Sequence, residues 1–142
     1  MTIPRHTTLF FALAAAGVLL QGCDAAKQTG PSARLYEVDF KGAAKTCEAP
    51  KQKPAAGKTT EATLKVGSDG GWCGATVSND GKPFAAGLLT ARPAHGKVLV
   101  HSVGNDTRID YTPEFGFVGA DSFSVELLPG SAILHVAVTA IK

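Results

Sequence analysis

The chain has 142 residues, and its 14 basic and 12 acidic side chains leave a formal net charge of only +2. This length corresponds to one domain, and no basic block is present to follow a phosphate backbone, so nucleic acid is not expected as a partner. Glycine is abundant, with 16 residues, and aromatic residues make up 7%. Such a composition favours short strands and turns.

Residues 1–22 have the layout of a secretory signal peptide. Arg5 gives a positive start, and an apolar run from Leu9 to Leu20 follows it. A helix that crosses a bilayer needs about 20 apolar residues. Because this run is shorter, we expect a cleaved leader rather than a membrane span.

The end of the leader carries a more specific pattern. Leu20-Gln21-Gly22-Cys23 resembles the lipobox of bacterial lipoproteins, in which a small residue precedes a lipid-modified cysteine. The resemblance implies cleavage before Cys23, palmitate-like acyl chains on that residue, and a location in the bacterial cell envelope, on either membrane or on the cell surface. Two or more acyl chains hold a protein firmly at a bilayer. The alternative is an ordinary signal peptide with a coincidental cysteine.

The stretch after the leader, residues 23–33, is small and polar and contains Gly30-Pro31. We expect it to be a flexible tether between the acylated cysteine and a domain that comprises residues 34–142.

Cys47 and Cys73 are the two remaining cysteines. In an exported protein such a pair is expected to form a disulfide, which would stabilise a small domain by about 3 kcal/mol for a loop of this length. A catalytic thiol or a metal ligand is the alternative, but neither cysteine lies in a Cys-x-x-Cys pair or beside an identifiable base. We therefore expect a structural bridge.

The domain begins with two segments of different character. Apolar and acidic residues alternate from Tyr36 to Phe40, which predicts a first strand over residues 34–40. Residues 42–58 are rich in proline, glycine and lysine and predict an exposed loop, held at Cys47 if the bridge forms.

The rest of the chain alternates short apolar segments with turn signals. Further strands are expected over residues 60–66, 72–78 and 83–91, around Val98, around Ile109, around Val125, and over residues 132–141. Asn79-Asp80-Gly81 is typical of a hairpin turn. Seven or eight short strands predict an all-β fold, a single antiparallel β-sandwich, and no window has a sustained helical period.

Three motifs in the last third of the chain are more specific. They are Pro93-Ala94-His95-Gly96-Lys97-Val98, Asp110-Tyr111-Thr112-Pro113 and Phe115-Gly116-Phe117-Val118-Gly119-Ala120-Asp121-Ser122-Phe123. With the valine-rich segment near the end, they resemble bacterial Ig-like, cadherin-like repeat domains from about residue 91 to residue 141. The resemblance implies an Ig-like sandwich and says little about function.

Six motif residues are expected to have structural roles. A proline ends a strand, glycines allow backbone angles closed to other residues, an aspartate binds backbone amides at a corner, and two aromatic residues anchor the core. These residues are Tyr111, Pro113, Gly116, Gly119, Asp121 and Phe123.

Neither a metal site nor a catalytic site is expected. Calcium needs about six to eight converging oxygens, whereas the aspartates are scattered: Asp69, Asp80, Asp106, Asp110 and Asp121. The histidines lack the spacing of zinc or copper ligands; they are His95, His101 and His135. No Gly-x-Ser-x-Gly elbow is present. Trp72 is expected in the core, with an exposed binding aromatic as the alternative.

These features favour a non-enzymatic binding or scaffold module without a cofactor, anchored to a membrane and in contact with another envelope protein or a polymer. The expected contact is the lysine-rich loop or an exposed edge strand. One alternative is an inhibitor or accessory subunit of an exported enzyme or a secretion machine. Another is an enzyme or a metal-binding protein.

Overall fold

The strands of the protein follow one short helical turn. The computed structural model describes residues 35–142, which contain a 3-10 helix, Glu37–Phe40, and eight β-strands. The strands are β1 (Cys47–Glu48), β2 (Thr59–Gly67), β3 (Cys73–Val77), β4 (Ala86–Ala91), β5 (Gly96–Val103), β6 (Asp106–Pro113), β7 (Gly119–Leu128) and β8 (Ala132–Ile141).

The strands form two sheets. One has five strands in the order β1-β2-β8-β7-β4, and the other has three in the order β3-β6-β5. Neighbours are antiparallel except β2 and β8, which run parallel over nine pairs from Thr59–Ile133 to Gly67–Ile141. This parallel pairing, which the sequence analysis did not anticipate, places the last strand in the middle of the larger sheet.

Each sheet turns one face towards a shared core. In β8 every second residue from Ala132 to Ala140 is buried, and β2 and β7 show the same alternation over most of their length, as expected for strands with one covered face. The largest fully buried side chains include Tyr111, Phe123, Leu64, Ile109, Leu127 and Leu134. All buried hydrophobic residues in the described part lie between Ala44 and Ala140, so this part carries a core of its own.

The prediction of a first strand over residues 34–40 is wrong. Within this segment, Asp39 N donates to Tyr36 O at 2.9 Å, and Tyr36 N donates to Asp39 Oδ2 at 2.7 Å. An aspartate that binds the backbone three residues away competes with strand pairing. This segment is therefore a 3-10 helix and not a strand, although its apolar and acidic residues alternate.

The turn at Asn79-Asp80-Gly81 is present, but it does not join two paired strands. Asn79 and Lys82 exchange backbone hydrogen bonds of 2.8 and 3.0 Å. Asp80 and Gly81 have φ values of 50° and 75°, as in a type I′ turn. Because β3 lies in the smaller sheet and β4 in the larger one, the turn carries the chain from one sheet to the other.

The predicted all-β sandwich with seven or eight strands is confirmed. The predicted disulfide is present as well: Cys47 of β1 is bonded to Cys73 of β3, with Cα atoms 5.2 Å apart, and it joins the two sheets. In residues 35–142, no helix has the length and hydrophobicity that a membrane crossing requires.

Candidate functional site

One side of the sandwich is closed by the segment that follows the 3-10 helix. Ala44 N donates to Trp72 O at 2.8 Å, and Gln52 N donates to Thr76 O at 3.4 Å. Residues 43–52 therefore cover the edge of β3, and the disulfide joins the sheets on the same side. This cover belongs to the lysine-rich loop predicted from the sequence, so part of the loop backbone is used within the domain.

The other side of the sandwich is open within the described residues. Strand β4 ends the larger sheet and β5 ends the smaller one, and each pairs with one neighbour only. An edge strand presents free backbone N–H and C=O groups. Strand β4 contains neither a charged residue nor a proline, two features that commonly protect an edge. A register shift between Leu89 and Ala91 limits its regular length.

Two clefts lie between these edge strands. One, of about 220 Å³, is lined in part by Gly87 of β4 and by Val100 and His101 of β5. The other, of about 370 Å³, is lined in part by Leu89 of β4 and Val98 of β5. Leu89, Val98 and Val100 are partly buried and pack against the core. An extended segment along either edge would find both backbone partners and apolar side chains.

The outer face of the smaller sheet holds a buried ion pair that sequence analysis missed. Arg108 Nε and Nη2 donate to the two carboxylate oxygens of Asp110 at 2.8 and 3.0 Å, and His101 Nε2 lies 2.8 Å from Asp110 Oδ2. Arg108 and Asp110 are only 8% and 5% exposed. They lie two residues apart on β6, and His101 pairs with Arg108 across the sheet, so strand alternation puts all three on one face. The Arg-x-Asp spacing was the available signal.

The start of the domain packs on this ion pair. Arg108 Nη1 donates to Asp39 O, and the guanidinium lies 3.9 Å from the Trp72 ring centroid. Trp72 Nε1 donates to Lys41 O at 3.0 Å. Trp72 is thus half-buried beside a cation, neither a core residue nor a free binding aromatic. These contacts hold the backbone of residues 39–41 against the sheet.

The carboxylate of Asp121 fastens a corner between strands. It accepts hydrogen bonds of 2.8–2.9 Å from the backbone N–H groups of Ala94, His95 and Ser122 and from the Tyr111 hydroxyl. Burial by itself would raise the pKa of Asp121, but the four donors outweigh burial and lower it. Burial, assisted by the Asp121 carboxylate, raises the pKa of Tyr111.

The other motif residues surround this corner. Tyr111 and Phe123 are fully buried, and their rings stack with centroids 5.8 Å apart. Gly116 and Gly119 have φ values of 78° and 149°, which residues with side chains rarely adopt. Pro113 is buried and is the last residue of β6. All six residues therefore have contacts or backbone angles that serve the fold.

The three histidines lie in separate environments. His95 stacks on Phe117 with centroids 4.3 Å apart, His101 belongs to the ion-pair network, and His135 Nδ1 lies 2.9 Å from Ser124 Oγ. No three His, Cys, Asp or Glu side chains of residues 35–142 come together as metal ligands would.

The aspartates are likewise spread over the domain. Asp69 accepts hydrogen bonds from the backbone N–H groups of Lys45 and Gly71, which lower its pKa. The others lie in a turn, at the start of β6, in the ion pair and at the corner; in that order they are Asp80, Asp106, Asp110 and Asp121.

A serine, a histidine and a glutamate meet on the outer face of the larger sheet. Besides the contact to Ser124, His135 Nε2 lies 4.0 Å from Glu61 Oε2. Ser124 and Glu61 are the register partners of His135 on β7 and β2. Strand register alone brings the three side chains together, so we assign them to cross-strand pairing.

The predicted acylation site, Cys23, lies outside the described residues, as do the leader and the tether. No protein-family model matches the chain, and no curated protein matches it in sequence. The structure itself defines an eight-stranded β-sandwich whose two sheets are joined by a disulfide on one side and end in the bare edges of β4 and β5 on the other.

Proposed function

We propose that the protein is a lipoprotein of the bacterial cell envelope, anchored through acyl chains on Cys23. Its sandwich acts as a non-enzymatic binding module for another envelope protein. Support for the anchor is the apolar leader that ends in Leu20-Gln21-Gly22-Cys23. Without the anchor the module would be free to diffuse, whereas acylation keeps it at a surface where its partners are concentrated.

The observation that carries the binding role is the open side of the sandwich. Two unpaired strand edges, β4 and β5, flank clefts that reach partly buried core side chains. An extended segment of a partner adds to such an edge through main-chain hydrogen bonds, and its alternate side chains enter the clefts. This recognition needs a polypeptide backbone, so the geometry favours a protein over a polymer of another kind.

A second candidate, an inhibitor of an exported enzyme, is favoured by a different feature. Phe115 is 85% exposed on the loop between β6 and β7, just before Asp121. The loop is held by hydrogen bonds from Glu114 N to His95 O at 2.8 Å and from Phe117 N to Glu114 O at 3.0 Å. An aromatic side chain on a fixed loop can fill a cleft of another protein at little entropic cost.

Site-directed photo-crosslinking in intact cells separates these roles. A photoreactive residue is placed at Leu88 on β4, at Leu99 on β5, at Phe115, and at Thr139 as the control. Leu88, Leu99 and Thr139 are all exposed, but Thr139 lies on β8 and is paired with β2 on one side and with β7 on the other. We expect a discrete adduct with one envelope protein from positions 88 and 99 and none from position 139.

The variant Leu88→Lys, which adds a charge to the edge, should remove the adduct formed at position 99. Adducts from position 115 alone would favour the inhibitor role over partner binding at the edges of β4 and β5. Equal adducts from positions 139 and 88 would contradict both roles. A mass spectrum of the mature protein that lacks acyl chains on Cys23 would refute the anchor independently.

A further inference from the structure

The start of the domain carries an exposed apolar surface that the binding role does not use. Leu35, Tyr36, Val38 and Phe40, here called the N-terminal patch, are 59%, 58%, 70% and 56% exposed. They supply four of the eight exposed large hydrophobic residues of the described part, within six consecutive positions. Such a concentration marks a surface that contacts another apolar phase.

The N-terminal patch lies on a fixed backbone. Arg108 donates to Asp39 O, and Trp72 Nε1 donates to Lys41 O at 3.0 Å. The carboxylate of Asp39 is occupied by Tyr36 N at 2.7 Å. The apolar side chains are thus held outward on a short helical turn, and little conformational entropy is lost when they are buried against a partner.

Few residues separate the proposed acylation site from the N-terminal patch. Only eleven residues lie between Cys23 and Leu35. A chain of this length reaches at most roughly 40 Å when it is fully extended. The N-terminal patch is therefore confined close to the bilayer that holds the acyl chains, at an effective concentration that converts a weak contact into a populated one.

The flanking charges suit a lipid surface. Lys41 shares a groove with Val38 and Phe40, and Lys51 lines a cleft with Leu35 and Phe40. Lysines beside an apolar surface attract anionic headgroups, and tyrosine side chains are enriched at the headgroup level of membranes. The carboxylates of Glu37, Asp39 and Asp106 oppose this attraction, so the apolar side chains must provide most of the binding.

We propose that the N-terminal patch docks into the interfacial region of the bilayer to which the protein is anchored. This inference rests on the proposed lipid anchor, which supplies the confinement. Docking restrains the orientation of the sandwich at the membrane and so limits the directions from which a partner reaches β4 and β5.

The test uses residues 23–142, which contain every buried hydrophobic residue of the described part. Because Cys47 and Cys73 form the disulfide, Cys23 is the only free thiol and can be coupled to a maleimide phospholipid. The coupled protein is placed in vesicles of zwitterionic lipid with a minority of anionic lipid and a photoreactive phospholipid. Peptide mass spectrometry then locates the labelled residues.

We expect labelling to be concentrated in residues 35–41. The double variant Val38→Asp/Phe40→Asp should reduce labelling there by about tenfold or more, because two apolar side chains no longer favour insertion. The matched control is Leu88→Asp, which adds a charge at an exposed leucine on β4 and should leave labelling unchanged. Thermal unfolding of each variant verifies that it folds.

Labelling confined to residues 23–34, or equal in the wild type and the double variant, would overturn the proposal. A crosslink to a second copy of the chain through residues 35–41 would assign the N-terminal patch to self-association and would also overturn it. The lipid is attached chemically, so the result does not depend on acylation in the cell. The mass spectrum of the cellular protein tests that acylation separately.

Discussion

At the scale of single residues, Asp121 connects β7 to two distant parts of the chain, the segment before β5 and strand β6. Its carboxylate binds the amides of Ala94 and His95 before β5, the amide of Ser122 in β7, and the hydroxyl of Tyr111 in β6. These donors lower the pKa of Asp121 below its ordinary value of 3.8. The folded state thus favours the ionised form, and the resulting stabilisation is complete above the unfolded-state pKa and is lost as the pH falls through the folded-state pKa.

Replacing this carboxylate gives a prediction with a defined pH dependence. Asp121→Asn should lower the free energy of unfolding at pH 7 by about 1–3 kcal/mol, because an amide nitrogen faces backbone donors that need an acceptor. Below about pH 4, where the wild type loses the benefit of the ionised carboxylate, the difference should shrink. Urea unfolding at pH 7 and at pH 3 measures both values.

Asp80→Asn is the control for this prediction. Asp80 lies exposed in a turn with a φ of 50°, which asparagine tolerates. The free energy of unfolding of the Asp80→Asn variant should therefore stay within about 0.5 kcal/mol of the wild-type value. A difference between Asp121→Asn and wild type that is the same at both pH values would contradict the role assigned to the ionised carboxylate.

Two residue-scale features differ in how far they could be predicted. The fastening role of Asp121 was expected because turn aspartates commonly bind nearby amides. Arg108 and Asp110 lie only two positions apart, but the network around them was missed because the contacts to His101 and to a backbone carbonyl 69 positions away depend on the tertiary structure. Pairing of distant segments cannot be read from spacing alone.

At the scale of elements, the closed side depends on one very short strand. Strand β1 has two residues, and it is held by pairing with β2 and by the disulfide to β3. Two ladder pairs alone are marginal in water. The covalent bond is therefore expected to be a principal reason why residues 43–52 stay over the edge of β3.

Removal of the disulfide should destabilise the domain substantially. Cys47→Ala/Cys73→Ala should lower the free energy of unfolding by about 3 kcal/mol, from the entropy of the closed loop. The melting temperature should fall by roughly 10–20 °C. Calorimetry of the variant and of the wild type under reducing conditions should give similar shifts, because both remove the same cross-link.

Cys23→Ala provides the control, since Cys23 lies before the described core and takes no part in the bridge; its melting temperature should match that of the wild type. A shift of less than about 3 °C in the double variant would mean that packing, and not the bridge, closes this side.

At the scale of the whole molecule, the sandwich is asymmetric. One side has a covered edge and a covalent link between the sheets, and the other has two bare edges with clefts between them. Strand β8 lies at the centre of the larger sheet, and only β7 separates it from the bare edge strand β4. Local stability should therefore decrease from β8 towards β4.

Native-state hydrogen exchange should reveal this gradient. Amides of β8, which pairs with β2 on one side and with β7 on the other, should exchange only through global unfolding, whereas those of β4 should exchange at least about tenfold faster through local opening. Exchange measured by NMR at neutral pH on residues 35–142 tests this expectation. Equal protection of β4 and β8 would contradict an open, locally labile side.

The sequence by itself determined the periodic features of the protein: alternating burial in β2, β7 and β8, the turn glycines, and the choice of Cys47 and Cys73 as a pair. These follow from local rules, since side chains alternate along a strand and a pair of cysteines behind a predicted secretory leader is expected to oxidise. The same local rule failed at residues 34–40, where a side chain of Asp39 binds the backbone of Tyr36 and no strand pairs alongside.

Only the tertiary structure decided which strands neighbour each other, and therefore which edges stay bare and which side chains stay exposed. The turn after β3 looks the same in sequence whether it joins paired strands or changes sheets. Likewise, the exposure of Val38 and Phe40 results from the way Arg108 and Trp72 hold the adjoining backbone. The physical reason is that pairing and burial are contacts between distant residues, and their free energy exists only once the chain has brought those residues together.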